Sequence, residues 1–279
     1  MKLALIGIGL IGGSLARAAK ARGNFNRIIG FDSQSEALLR ALGLGVIDEA
    51  ATSVAQAVVD ADLVMIATPV GSIRQILREI APNLRSAAIV TDVGSTKGSV
   101  IEAAREELGA AFARFVPGHP IAGSEHSGFE HSDAALFAGK LFISTPVEQT
   151  DARAVVRIEA LWHDVGCHIE RMTPTEHDNV FAAVSHLPHL LAFALVAHIA
   201  GQADADRKFA MAGAGFRDFT RIAASSPSMW SDICIANRVA LGNELRSHRE
   251  LLEGLQRAID VGDRQILELA FLTATNARR

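Results

Sequence analysis

The chain has 279 residues, 49% of them hydrophobic, which is enough for a large core and for two domains. A formal net charge of −4 with no basic cluster argues against a nucleic-acid partner. The two cysteines, Cys167 and Cys234, make neither a disulfide framework nor a metal motif, and they fit a reducing cytoplasm.

The first 32 residues read as a strand, a glycine turn opening a helix, and a second strand. Gly7, Gly9 and Gly12 have G-x-G-x-x-G spacing, for a tight turn, a close approach of backbone to a diphosphate, and close helix–strand packing. With Ile8, Leu10 and Ile11 they form the expected cofactor loop, in which free N–H groups of the helix N-terminus receive the phosphates. Asp32 ends the second strand, where a carboxylate accepts from the adenosine ribose hydroxyls. No Arg or Lys lies among residues 33–39 to receive a 2′-phosphate, so NAD is expected over NADP. The opening also resembles a secretory signal, but the glycine spacing and Asp32 explain the same residues better. No stretch reaches the ~18 uninterrupted apolar residues of a membrane helix, so a soluble protein without a membrane partner is expected.

Residues 33–45 read as a helix with a Ser cap and a glycine stop, and 61–70 as a fully apolar strand. Thr68 and Pro69 end that strand at the edge where a doubly wound sheet takes ligands. Then follow a helix over 71–81, a strand over 87–98, a helix over 99–109, a strand over 113–120 and a glycine-rich loop. A strand over 140–147, a helix over 151–165 and a strand over 167–172 complete the α/β part. Thr173-Pro174-Thr175-Glu176 is a capping box with Pro at the first helical position, and everything beyond it reads as helical. The domain boundary is therefore expected near 172, giving domains 1–172 and 173–279. Ser226-Pro227 starts a further helix, with Ile233, Ala236, Ala240, Leu251, Leu255 and Ile259 largely on one stripe.

Four stretches carry polar groups that a core would not favour: 92–97, 119–125, 185–189 and 216–221. Ser95 reads either as a turn hydroxyl or as a substrate contact. His119, between Gly118 and Pro120 at a strand end, reads either as a loop histidine bonded to backbone or as an acid–base group. Pro188 should kink an apolar helix that carries Ser185, His186 and His189. His186 and His189 have the His-x-x-His spacing of metal ligands, and His119, His126 and His131 could join them, but no carboxylate or thiolate set converges with them, so no metal is expected. Arg217, Asp218 and Arg221 read as mutual salt bridges unless a substrate engages them.

GIGLIGGS, TDVGSTKG, PGHPIAGSEHSG, SHLPHLLAFAL and GFRDFTRIAASSPSMWSDI together resemble the prephenate/arogenate dehydrogenase family, from residue 3 to about 260. The resemblance implies an α/β fold in which a Rossmann-type doubly wound parallel sheet precedes an all-helical dimerisation domain, a 6-phosphogluconate-dehydrogenase-like plan. It also implies a homodimer, and oxidative decarboxylation of a small cyclohexadienyl substrate with NAD or NADP. By resemblance, His119 is the catalytic histidine on the ring hydroxyl, Ser95 is its partner and also touches the nicotinamide of the cofactor, Arg221 holds the side-chain carboxylate and His189 contacts substrate. Glu125, His186, Asp218 and Trp230 line the pocket, and Arg217 stands where some relatives carry Lys. Neither a fused chorismate mutase segment nor an ACT domain is expected. A β-hydroxyacid dehydrogenase would need a catalytic Lys, which residues 173–200 lack. A non-catalytic NAD-sensing module would not need Ser95, His119, His189 and Arg221 together.

Overall fold

The computed structural model describes residues 1–123 and 128–278. Its centre is a six-stranded parallel sheet: β1 (Lys2–Ile6), β2 (Arg27–Phe31), β3 (Glu49–Ala50), β4 (Leu63–Ile66), β5 (Ile89–Asp92) and β6 (Phe115–Val116), in the order β3-β2-β1-β4-β5-β6. Alternation along β1 shows why both faces must be covered. Leu3 and Leu5 join one buried cluster while Ala4 and Ile6 join the other, and Leu63, Met65 against Val64, Ile66 repeat this along β4. The connecting helices are α1 (Leu10–Arg22), α2 (Ser35–Gly43), α3 (Val54–Val58), α4 (Ile73–Ile80) and α5 (Gly98–Glu107). The chain reverses its winding direction between β1 and β4, which opens a crevice at their carboxyl ends.

The expected strand over 113–120 is instead two strands in different sheets. β6 ends at Val116, Pro117 breaks the ladder because it has no N–H, and β7 (Gly118–Pro120) starts a second sheet. There β7 runs antiparallel to β8 (Leu141–Ser144), and β8 runs parallel to β9 (His168–Arg171) across helix α6 (Ala152–Asp164). Phe142 and Trp162 stack behind this sheet at 4.6 Å. A Cβ at residue 118 would lie 2.2 Å from the Phe142 ring, so only glycine lets β7 lie flat there.

Other boundaries also move. The strand expected over 87–98 stops at Asp92, because the next residues turn into the N-terminus of α5. The Ser cap expected for α2 is absent: Gln34 is its N-cap and makes no side-chain capping bond, while Gly45 supplies the stop at φ +64°. β3, two residues long, is too short to leave a sequence pattern.

From Pro174 onward every described element is helical: α7 (Pro174–Phe181), α8 (Leu187–Ala200), α9 (Ala205–Ala210), α10 (Ala214–Thr220), α11 (Pro227–Ala236), α12 (Arg238–Asp260) and α13 (Arg264–Arg278). The capping box on α7 forms in full, and Ser226 caps α11 through Met229 N–H. Asn237 breaks the expected stripe between α11 and α12. Pro174–Ala200 is long and apolar enough by composition to cross a membrane, at mean hydropathy 1.9. It also carries the inward-facing His177 and His186, both fully buried.

Candidate active site

The glycine loop meets the requirements of a diphosphate. Gly7 sits at φ +94° with its missing Cβ 2.6 Å from the Ala67 carbonyl oxygen, and a Cβ on Gly12 would lie 2.1 Å from that of Gly7. These two glycines are needed for packing. Gly9 differs, because its missing Cβ faces open space with nothing within 4 Å. Helix α1 starts at that point with no side-chain cap and no acid in its first turn, so its N–H groups and dipole remain available to an anion. Asp32 accepts from Ile8 N–H at 2.6 Å and from Gln34 N–H at 2.8 Å. It therefore fixes the loop and keeps lone pairs for ribose hydroxyls, while its charge opposes a 2′-phosphate. Thr68 and Pro69 lie across the crevice at the end of β4, Thr68 accepting from Ser72 Oγ at 2.9 Å. These residues fit a dinucleotide.

Asp92 ends β5 and organises the next part of the edge. The fully buried Lys97 Nζ donates to Asp92 Oδ2 at 2.5 Å and to the Gly118 carbonyl at 2.6 Å. Asp92 in turn accepts from Gly94 N–H at 2.8 Å and Gly118 N–H at 3.2 Å. Both backbone groups of Gly118 are thus held by one ion pair. The next residue, His119, is thereby fixed above the carboxyl end of β5, close to the turn that carries Ser95. Burial lowers the Lys97 pKa, and Asp92 opposes that shift.

The helical domain supplies the facing wall. Pro188 cannot donate to Val184, and the helix answers with a π turn over Ala182–His186 before α8 resumes, in place of the simple kink expected. The wider turn carries His186 inward, while Ser185 stays half-buried. Asn237 Nδ2 donates to the Asp178 carbonyl at 2.8 Å and to His186 Nδ1 at 3.1 Å, which leaves the His186 proton on Nε2. Burial holds the His186 pKa at about 4, against the opposing Asp178 and Ser95 backbone, so the ring is neutral near pH 7. Its Nε2–H and the Trp230 indole N–H are buried without a hydrogen bond of full geometry among the described residues. His189 donates from Nδ1 to the Ser185 carbonyl at 2.8 Å and stacks on Trp230 at 3.7 Å. Burial lowers its pKa; the Ser185 carbonyl opposes that, and the nearby Arg221 guanidinium adds to it.

Three residues with marked roles here were not singled out from sequence: His177, Asp178 and Asn237. His177 follows the capping box on α7 and bonds His119 across 58 residues, Nε2 to Nδ1, at 2.9 Å. Its own Nδ1 meets Asp178 Oδ1 at 2.9 Å. Asp178 also accepts from the N–H groups of Lys97 at 2.7 Å and Gly98 at 2.8 Å. Lys97 lay within the polar stretch 92–97 and the TDVGSTKG motif, whereas nothing local marked these three.

Of the sequence-predicted residues, His186 and His189 lie against Trp230 at ring-centroid distances of 6.2 and 3.7 Å, His186 lies near His119 and meets the Ser95 backbone, and the exposed Arg221 lies near His189. Asp218 and Arg217 lie on α10, exposed. Glu125 lies outside the described residues. Among the described residues no group of three His, Cys, Asp or Glu side chains has the geometry of a metal site. The assembled chemistry is an imidazole, His119, at a dinucleotide edge, with two N–H donors and a guanidinium on the helical domain that suit an anionic substrate.

Comparison with known proteins adds an independent line. A family model described as prephenate dehydrogenase, nucleotide-binding domain, matches residues 15–171, and one described as prephenate dehydrogenase, dimerization domain, matches residues 173–272. The chain is 38% identical over 278 residues to a prephenate dehydrogenase of Bacillus subtilis, covering 98% of this chain and 74% of that one. It is 36% identical over 278 residues to a cyclohexadienyl dehydrogenase of Zymomonas mobilis, with 99% and 94% covered. A solved prephenate dehydrogenase from A. aeolicus, in complex with hydroxyphenyl propionate and NAD+, superposes with TM-score 0.90 at 37% identity, covering 100% of this chain and 98% of that one.

Proposed function

Because the chain belongs to the prephenate dehydrogenase family, we propose that it catalyses the NAD-dependent oxidative decarboxylation of prephenate, or of its amino counterpart arogenate, in tyrosine biosynthesis. The observation that carries the reading is His119, which follows the clamped Gly118 at the cofactor edge and is bonded by His177 from the helical domain. Absorbance at 340 nm with NAD and each substrate in turn tests it. Absence of turnover with both would reject it, and comparison of kcat/KM identifies the preferred side chain.

NAD, held by the glycine loop and Asp32, would supply the acceptor for the hydride on the carbon bearing the ring hydroxyl, and loss of the ring carboxylate as carbon dioxide makes the ring aromatic. His119 Nε2 accepts the hydroxyl proton as the hydride leaves and returns it to the phenolic oxygen, so no proton is consumed overall. Ser95 orients that hydroxyl. A cation on the departing carboxylate would stabilise the ground state, so the guanidinium belongs at the other end of the substrate. Arg221 meets that need by gripping the side-chain carboxylate, with His189, His186, Trp230, Asp218 and Glu125 completing the pocket and excluding water.

Arg221→Ala should therefore raise KM strongly and lower kcat/KM by roughly 30- to 1000-fold, because the contact is present in ground and transition states alike. Arg221→Lys should rescue only in part, since an ammonium cannot reproduce a two-pronged contact. Steady-state kinetics decide the matter. Lower thermal stability with unchanged KM would make Arg221 a structural ion-pair partner and move the anchor to Arg217.

The helical domain is matched as a dimerisation domain. The surface that would pair is apolar and exposed in the single chain, with Leu251 56%, Ile259 61% and Leu269 66% accessible on α12 and α13. Sedimentation at micromolar concentration should give twice the chain mass, and a monomer with full activity would be the contrary result. We place the domain boundary near residue 172, between the two family matches, and the enzyme in the cytoplasm, where its free Cys167 and Cys234 stay reduced.

A further inference from the structure

The fully buried His177 has no role in the mechanism above, yet its ring lies between His119 and Asp178. Asp178 fixes the order of protons along this line. Its carboxylate accepts from Lys97 and Gly98 N–H at the start of α5 and from His177, and only the ionised form offers that many acceptors. Burial pushes its pKa up, but His177 and those two N–H groups outweigh that and hold it below the ordinary carboxylate value. The His177 proton is therefore on Nδ1, and its Nε2 is a bare acceptor. A bond of 2.9 Å from that nitrogen to His119 Nδ1 then requires the His119 proton on Nδ1. The lone pair left over on His119 is at Nε2, which has no hydrogen bond among the described residues.

We infer that His177, oriented by Asp178, is a positioning residue that sets the tautomer of His119 and shares the positive charge formed when His119 takes up a proton. The inference rests on His119 being the proton acceptor proposed above. As the substrate hydroxyl proton moves to Nε2, the Nδ1–H bond lengthens toward His177 Nε2 and Asp178 balances the charge. The proton returns to the phenolic oxygen when the ring aromatises, and the line ends as it began. Phe181 holds both rings at an angle, with centroids 5.0 Å from His119 and 4.5 Å from His177. Among the described residues, the other charged or titratable groups facing the pair are Lys97, Asp92 and His186. Lys97 is neutralised by Asp92, and His186 is neutral near pH 7, so among the described residues Asp178 is the group bonded to the line that can stabilise an imidazolium. A merely structural buried side chain at 177 would need no nitrogen on either edge.

The wild-type protein itself gives the first test. Ring-nitrogen NMR, with His119 assigned by loss of its signals in His119→Asn, should show His119 protonated at Nδ1 near pH 7. Protonation at Nε2 in the wild type would overturn the inference. His177→Phe should lower kcat by ~10²–10³-fold with KM changed less than about threefold, and should release His119 to the Nε2–H form. His177→Gln, which keeps an acceptor near the Nε2 position, should recover at least about tenfold over the Phe variant. An unchanged tautomer and kcat in both variants, with His119→Asn still impaired, would reject the positioning role and leave the base assignment standing. If His119→Asn keeps full kcat, the base assignment falls, and the wild-type tautomer still decides what His177 does.

Discussion

Replacing His119 with Asn should lower kcat by ~10²–10⁴-fold while KM stays within a few-fold. The Asn amide can still donate to His177 in place of the ring Nδ1–H, so the local fold has a substitute. No basic nitrogen remains at the Nε2 position, so the hydroxyl proton has no acceptor as the hydride departs. The pH profile follows from burial, which pushes the His119 pKa well below its ordinary value, with His177, Lys97 and His186 adding to the effect. Because the folded-state value lies below 6.5, His119 is neutral and competent at pH 7, and activity should fall only on acidification past the depressed value. The same sign applies to stability. Between the two values the unfolded chain binds the proton and the folded chain does not, so the His119 contribution diminishes as pH falls below about 6.5. In the Asn variant the acidic limb of kcat should disappear. Near-normal kcat would move the base to His189, whose Nε2 is also bare because its Nδ1 donates to Ser185.

Lys97→Met should cost ~3–5 kcal/mol of stability, a large share of the ~5–15 kcal/mol of a typical domain. The substitution leaves the Asp92 carboxylate fully buried without its counter-ion and removes a donor from the Gly118 carbonyl. Buried ion pairs can often be exchanged for two apolar residues at little cost. That remedy should fail here. Asp92 also accepts from Gly94 and Gly118 N–H, so a double variant Asp92→Leu/Lys97→Met orphans both of those donors as well as the Gly118 carbonyl. Denaturant unfolding of the single and double variants measures this, and a loss under ~1 kcal/mol in either would refute the clamp. Any folded fraction should also show reduced kcat, because the backbone immediately before His119 is no longer held.

The parts legible in the sequence are those whose physics is local. The glycine loop needs only the spacing of Gly7, Gly9 and Gly12, and the capping box on α7 needs only Thr173 and Glu176 three residues apart. Pro188 announced a disturbed helix, although the choice of a π turn over a kink depends on what the turn packs against. Pro117 carried a signal that was missed: a proline inside a supposed interior strand argues for a break, and the chain does change sheets there. His177, Asp178 and Asn237 could not be found in this way. Each is ordinary within its own helix, and its role exists only because a partner dozens of residues away folds against it.

Helix α5 belongs to the nucleotide-binding domain, yet the carboxylate that closes its N-terminus comes from Asp178 on the helical domain. The two domains are therefore not exchangeable cassettes, although each has a separate fold pattern. A nucleotide-binding domain grafted onto a different helical partner would keep its glycine loop and could still hold a dinucleotide. It would lose the end of α5 and the proton line to His119 in one step. Such a chimera should inherit the cofactor and not the chemistry, and a lineage that recombined at this boundary would have to restore both at once through one acidic residue.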